Sequence, residues 1–238
     1  MPPSPSEKST RTRAAKPSEK KRSLAKTPKR PHKARAPLNR KQKLDRTRVA
    51  ILQSALEHFG RMGFEGVSLR TIATAAGVNH GMIRHIYGDK DELWRQAVTF
   101  LFERTSIELS QNAEVLAGLD DRDRLKAYVR RYVEYCARHP EHARMMIQQS
   151  ILAGPELTWA AEQFIRVRHS RDLPFLERLK QAGVLPDVDT IALHFIIVGA
   201  CQMIYLLAPE VRAVNGRNVF SPDAVKKHAD AVVGILFR

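Results

Sequence analysis

LRTIATAAGVNHGMIRHIYGDKDEL, residues 69–93, sets a short apolar helical pattern on each side of Gly77. Leu69, Ile72, Ala73 and Ala76 recur at the three-to-four spacing of a helix that buries one face. Gly77 suits the left-handed backbone that turns the chain, and Val78 can plug the corner. Beyond the turn Ile83, Ile86 and Tyr87 form a second buried face, which leaves His80, Gly81, Arg84 and His85 pointing outward. Ala73 is small enough to let the two helices cross closely. The outward face is short, polar and cationic, as a surface entering the major groove of DNA must be.

Working outward, Ile51, Ala55 and Phe59 form one helical row with Leu52 and Leu56 beside it, which predicts a first helix over about 43–61. Gly63 and Gly66 bracket its end, and Ser68 is placed to cap the second helix. On the other side Gly88 closes the third helix. Asp89, followed by Lys90, Asp91 and Glu92, opens a fourth of about 90–112 with acidic groups where the helix dipole favours them. Three short helices joined through Ala76-Gly77-Val78-Asn79 have the layout of a helix-turn-helix.

The remainder repeats these signals. Helices are predicted over about 121–138, from Pro140 to about 153, and from Pro155 to near Gly183, the last kinked or split at Pro174. A long apolar helix of about 188–208 follows, then a final one of about 222–237 opened by Ser221-Pro222-Asp223. No alternating strand pattern and no internal repeat is present, so the class is all-α with about nine helices. The division is a disordered basic arm (1–42), a helix-turn-helix domain (43–95), and a helical ligand-binding and dimerisation domain (96–238).

The stretch 69–93 resembles the DNA-binding signature of the TetR (tetracycline repressor) family, with Ile72-Ala73, Ala76-Gly77-Val78, Gly81, Lys90 and Leu93 at its spacings. The specific match covers about residues 45–95; the rest is similar only in helix number and in its long apolar penultimate helix. The resemblance implies that Ser68, Thr71, Tyr87 and Lys90 grip phosphates, while Asn79, His80, Gly81, Met82 and Arg84 approach base edges. Phosphate partners fix register and base-edge partners select sequence. Arg70 and His85 complete the candidate DNA-binding set. Arg84 stands where the family commonly has an aromatic residue, so it either holds a phosphate or bonds a guanine. Ile86 replaces a frequent His or Tyr. Ser68 and Tyr87 also have structural readings, as a helix cap and as a core residue.

Leu193 to Ala208 is apolar around most of its circumference and so must be covered on more than one side. The resemblance implies a homodimer there, paired with the last helix around Val225, Ala229, Val232 and Leu236. Two copies then reach half-sites about one helical turn apart on a palindromic operator. The resemblance also implies a small-molecule effector, whose release of a repressor from its operator is the expected function. Tyr132, Cys136, Met146, Gln149, Trp159, Gln163 and Phe195 are the candidate ligand-binding residues, with Met145, Phe164 and His194 nearby in the pattern. Each has a bland alternative, since apolar residues at helical spacing mostly build core. His139 and His142 straddle Pro140 at a helix boundary, so no metal site is expected. No cofactor is expected either.

The net charge of +15 is unevenly spread. Residues 1–40 hold 13 Lys or Arg against two Glu, a net of +11, so the remainder carries only +4. Seven of the 13 prolines fall in residues 1–42, and such a segment buries too little surface to offset its ordering entropy. An arm of this kind adds nonspecific attraction to phosphates. The alternative function is therefore a nonspecific or architectural DNA-binding protein driven by the arm. No phosphate-binding glycine loop, Gly-x-Ser-x-Gly or His-Glu-x-x-His is present, and no enzyme is expected. Two cysteines, Cys136 and Cys201, are too few for a disulfide framework, and the N-terminus lacks the apolar core of a secretion signal. The apolar run at 193–208 is too short to span a bilayer. A cytoplasmic protein with no membrane partner is the expectation.

Overall fold

The computed structural model describes residues 39–110 and 118–237, and among these the chain is helical without strands. The expected disorder of the arm falls outside the described residues except at its end. There α1 (Arg40–Met62) begins earlier than the apolar pattern predicts. Asn39 accepts from the Gln42 N–H at 2.8 Å and its own N–H donates to Gln42 Oε1 at 3.1 Å, a capping box that satisfies two donors at once.

Two short helices follow, α2 (Leu69–Ala75) and α3 (His80–Tyr87). Between them Gly77 adopts φ +68°. The Gly77 N–H donates to the Thr74 carbonyl and the Val78 N–H to the Ala73 carbonyl, the paired bonds of a Schellman ending. The carbonyls left over at the end of α2 are thus satisfied while the chain turns. α4 (Lys90–Ser110) is capped by Asp89, which accepts from the Glu92 N–H at 2.8 Å.

Ile51, Leu56, Phe59, Ile72, Ile83 and Leu93 are wholly buried at the centre of these four helices. Ser54 Oγ, buried with them, donates to the Ile72 carbonyl at 3.1 Å and ties α1 to α2. Met145 and Ala160 belong to the same apolar cluster, although they come from far along the chain.

The body is built from α5 (Asp121–Arg138), α6 (Pro140–Leu152), α7 (Pro155–Ala160), α8 (Arg166–Gln181), α9 (Thr190–Leu206), α10 (Ala208–Asn215) and α11 (Pro222–Leu236). A second core gathers Leu125, Val129, Val133, Leu193, Cys201 and Val232. Asp120, Asp189 and Ser221 cap α5, α9 and α11.

Two expectations need correction. The long helix from Pro155 is interrupted not at Pro174 but by a π-helical turn at Ala161–Ile165 that joins α7 to α8. Pro174 sits inside α8 at an exposed position, where the carbonyl that loses its partner, that of Ser170, is on the solvent side. The chain also does not stop being helical at Pro209. Pro209 occupies the first turn of α10, where its missing N–H would have been unpaired anyway, so α9 is not penultimate; α10 and the division of the 155–181 helix at the π turn account for the eleven α-helices of the described residues against the about nine expected. No single helix among the described residues is long and apolar enough to cross a membrane; α9 and α10 approach that test only as a pair bent by 60°.

Candidate nucleic-acid interface

α3 divides its side chains as its sequence pattern requires. Ile83 and Tyr87 are buried, while Gly81, Met82, Arg84 and His85 are exposed and His80 is half-buried. Arg70 and Thr71 on α2 are exposed beside them. The Asn79 side chain is committed to capping α3, where it accepts from the Met82 N–H at 2.7 Å. Ser68 plays the same part for α2, accepting from the Thr71 N–H at 3.1 Å with the Thr71 hydroxyl 2.8 Å away.

Tyr87 and Lys90 are more constrained than a phosphate-gripping role alone requires. The Tyr87 ring is core, its hydroxyl donates to the Arg48 carbonyl at 3.4 Å, and burial raises its pKa. Lys90 lies 4.4 Å over the Phe64 ring and donates to the Glu65 carbonyl at 3.5 Å. Both therefore brace α1 and the 63–67 turn against the reader.

The reader is joined to the body through α4. Arg104 on α4 pairs with Glu141 on α6 at 2.7 Å, both nearly out of solvent. Close by, Thr105 Oγ1, Tyr135 OH and His142 Nδ1 form a buried triangle with edges of 2.7, 2.8 and 3.1 Å. His142 is held neutral, its pKa pushed down to about 3 by burial first and by the Arg168 and Arg104 charges second. At the far end of α4, Glu108 accepts from His139 at 2.9 Å and from Arg138. α4 is fastened to the body by polar contacts as well as by packing.

In the body, a cavity of about 200 Å³ opens between α5, α8 and α9. Tyr128, Tyr132, Arg168, Asp172, Phe175 and His194 are among its walls. Of the seven candidate ligand residues, only Tyr132 lines it. Cys136 is buried in the same core, its thiol pKa raised by burial, but is not in the cavity wall. Met146 and Gln149 lie on α6, and Gln163 and Phe195 are exposed. Trp159 packs edge-on to Trp94 at 5.6 Å and so belongs to the reader's core. The structure does not bring the seven together, because two of them, Trp159 and Gln163, lie in the 155–165 segment, which faces α4 or solvent. The residues that line this cavity do carry a sequence signal, since Leu125, Tyr128 and Tyr132 form a row at helical spacing on α5.

Among the described residues, no cluster of three or more His, Cys, Asp or Glu has the arrangement of a metal site.

A capped turn presenting a short cationic helix from a larger helical body defines a helix-turn-helix DNA-binding transcriptional regulator. Residues 51–97 match the model for bacterial regulatory proteins of the tetR family, and residues 122–236 match that for the tetracyclin repressor-like C-terminal domain. The chain belongs to the tetR family. The HTH-type transcriptional regulator RutR of Escherichia coli K12 is 25% identical over 167 residues, 70% of this chain and 77% of that protein. The HTH-type transcriptional repressor SCO4008 of Streptomyces coelicolor is 25% identical over 193 residues, 79% and 95% of the two chains. The solved structure of AibR in complex with isovaleryl coenzyme A and operator DNA shares the fold. Its TM-score is 0.59 at 20% identity, covering 80% of this chain and 98% of that one.

Proposed function

We propose that this protein is a homodimeric repressor that leaves a palindromic operator when a small molecule binds its body. The reading rests most directly on the exposed face of α3, where Arg84 and His85 project from a helix anchored by the buried Ile83 and Tyr87. In this reading His80, Gly81, Met82 and Arg84 meet base edges, with Arg70 and His85 beside them. Ser68, Thr71, Tyr87 and Lys90 serve the phosphates, and Asn79 acts mainly by fixing the start of α3.

The dimer face consists of α9 and α11. Ile191, Phe195, Ile196 and Met203 are exposed along α9, Leu207 just past its end, and Ile235 on α11. Such a contiguous apolar stripe marks an interaction surface. Gly199 has nothing within 4 Å of where a Cβ would stand, which lets a partner helix approach closely. The reading places the protein in the cytoplasm with DNA and assigns it no reaction of its own.

Footprinting upstream of its own and neighbouring genes tests the proposal, with protection of a discrete palindrome as the expected result. His80→Ala and Arg84→Ala should each weaken binding to that site about tenfold or more while changing binding to unrelated DNA much less. Equal loss on both DNAs would overturn base readout. Deleting residues 1–38 should lower the salt dependence of binding and spare the preference for the palindrome. Loss of all binding on that deletion would instead favour the nonspecific, arm-driven alternative.

A further inference from the structure

The cavity's chemistry is more specific than its shape. Its walls are mostly aromatic and aliphatic, yet Arg168 stands among them with its side chain only 20% exposed. Burying a guanidinium is costly unless each part of it is paired. Here the pairing is partial. Nη2 donates to the Tyr128 hydroxyl at 2.8 Å, and Nε reaches Asp172 at a long 3.4 Å. Nη1 has no hydrogen bond to any described residue. The plane of the group lies near the Tyr132 ring, 5.7 Å from its centroid, which fixes it further.

The local charge is also uneven. Asp172, the only carboxylate among the described residues of the wall, is shared with Arg171 at 3.0 Å. Arg124, the other cation in the wall, is already paired with Asp121 at 2.8 Å. The cluster of Arg168, Asp172 and Arg171 is therefore left with one positive charge in excess. His194 adds none near neutral pH, because burial and the neighbouring His169 push its pKa down.

We infer that the effector is an organic monoanion, a carboxylic acid with a compact apolar or aromatic body, whose carboxylate binds Arg168 while its body lies against Tyr132, Phe175 and Ile197. An arginine presents parallel donors that match a carboxylate's two oxygens, and Tyr128 supports it from the side. A cavity of about 200 Å³ accommodates such a body, being an order of magnitude beyond the roughly 10–15 Å³ that a single water needs. This inference rests on the reading of the protein as a ligand-responsive regulator.

The test uses the full chain and a panel of straight-chain and aryl monocarboxylates, each paired with its neutral amide, for example hexanoate with hexanamide and benzoate with benzamide. Calorimetric titration should find acids bound at least about tenfold more tightly than their amides. Arg168→Gln should abolish that preference. Asp172→Asn, which removes the competing carboxylate, should increase it, and this opposite sign distinguishes an anion site from general loss of folding. Arg168→Lys, retaining the charge without the fork, should keep part of the preference. If no acid outbinds its amide, or if the preference survives in Arg168→Gln, the inference is overturned. An operator complex that is released by neutral compounds and ignores acids overturns it while leaving the regulator reading intact. Absence of any protected palindrome overturns that reading instead, whatever the acids do.

Discussion

Gly77 shows how much of this fold depends on one backbone torsion. A Cβ there would meet nothing within 4 Å, so space does not require glycine; the φ of +68° does. A left-handed backbone costs an ordinary L-residue roughly 1–2 kcal/mol, and asparagine less. Gly77→Ala should therefore lower stability by about 1–2 kcal/mol, and Gly77→Asn by distinctly less, as read from urea unfolding. Equal losses would mean that the turn is held by something other than its torsion. Because the strain falls on the turn between α2 and α3, the alanine variant should also weaken operator binding beyond its effect on stability.

At the scale of the element, α4, α5 and α6 meet at the triangle of Thr105, Tyr135 and His142. His142 ordinarily titrates near 6.5 but near 3 when folded, so the unfolded chain binds one more proton anywhere between those values. Its contribution to stability is complete above pH 6.5 and is lost as pH falls. The limiting slope is about 1.4 kcal/mol per pH unit for one histidine. His194 and His228 are shifted in the same direction by burial and add to the slope. Urea midpoints measured between pH 7 and pH 5 should fall steadily, and His142→Gln should flatten the decline without removing it. An unchanged slope in that variant would show that His142 is not the buried neutral group inferred from its surroundings.

The elements were unequally legible in sequence. α2, the turn and α3 could be read directly, because each position has a narrow physical requirement: a cap at Ser68, a small residue at Ala73, a positive torsion at Gly77, a buried stripe at Ile83 and Tyr87. The cavity could not. Arg168 and Asp172 look like one more solvated i, i+4 pair, and only the packing of α8 between α5 and α9 turns them inward. Trp159 misled for the same reason, since helical spacing identifies a buried face but not which neighbour buries it. The π turn had no signal comparable to Pro174, because it involves one extra residue per turn rather than a residue type.

For the whole molecule the surface proposed to join two copies is the apolar stripe on α9. Ile196→Glu would place a charge at its exposed centre, where the folded chain alone has no objection. Size-exclusion chromatography with light scattering should then report a monomer of about the chain mass, 27.0 kDa, and should report twice that for the parent. Operator affinity should fall steeply, because a single reader engages only one half-site, while the helical content and the α3 face remain as they are. A variant that stays dimeric would relocate the interface.

The segment 155–181 ends in both of the molecule's apolar interiors. Upstream of the π turn Trp159 touches Trp94, and within the turn Phe164 stacks on Phe102 at 4.6 Å, both partners lying on α4. Downstream, Leu176 and Leu179 sit in the other interior, and Leu176 shares the cavity wall with Arg168. On the proposed reading, an occupant against Arg168 would press on a segment whose other end bears on α4, the stem carrying α3. The π turn would then be the joint at which that push is either absorbed or passed on, so stiffening it should change how loudly the cavity is heard at the DNA without changing what the cavity holds.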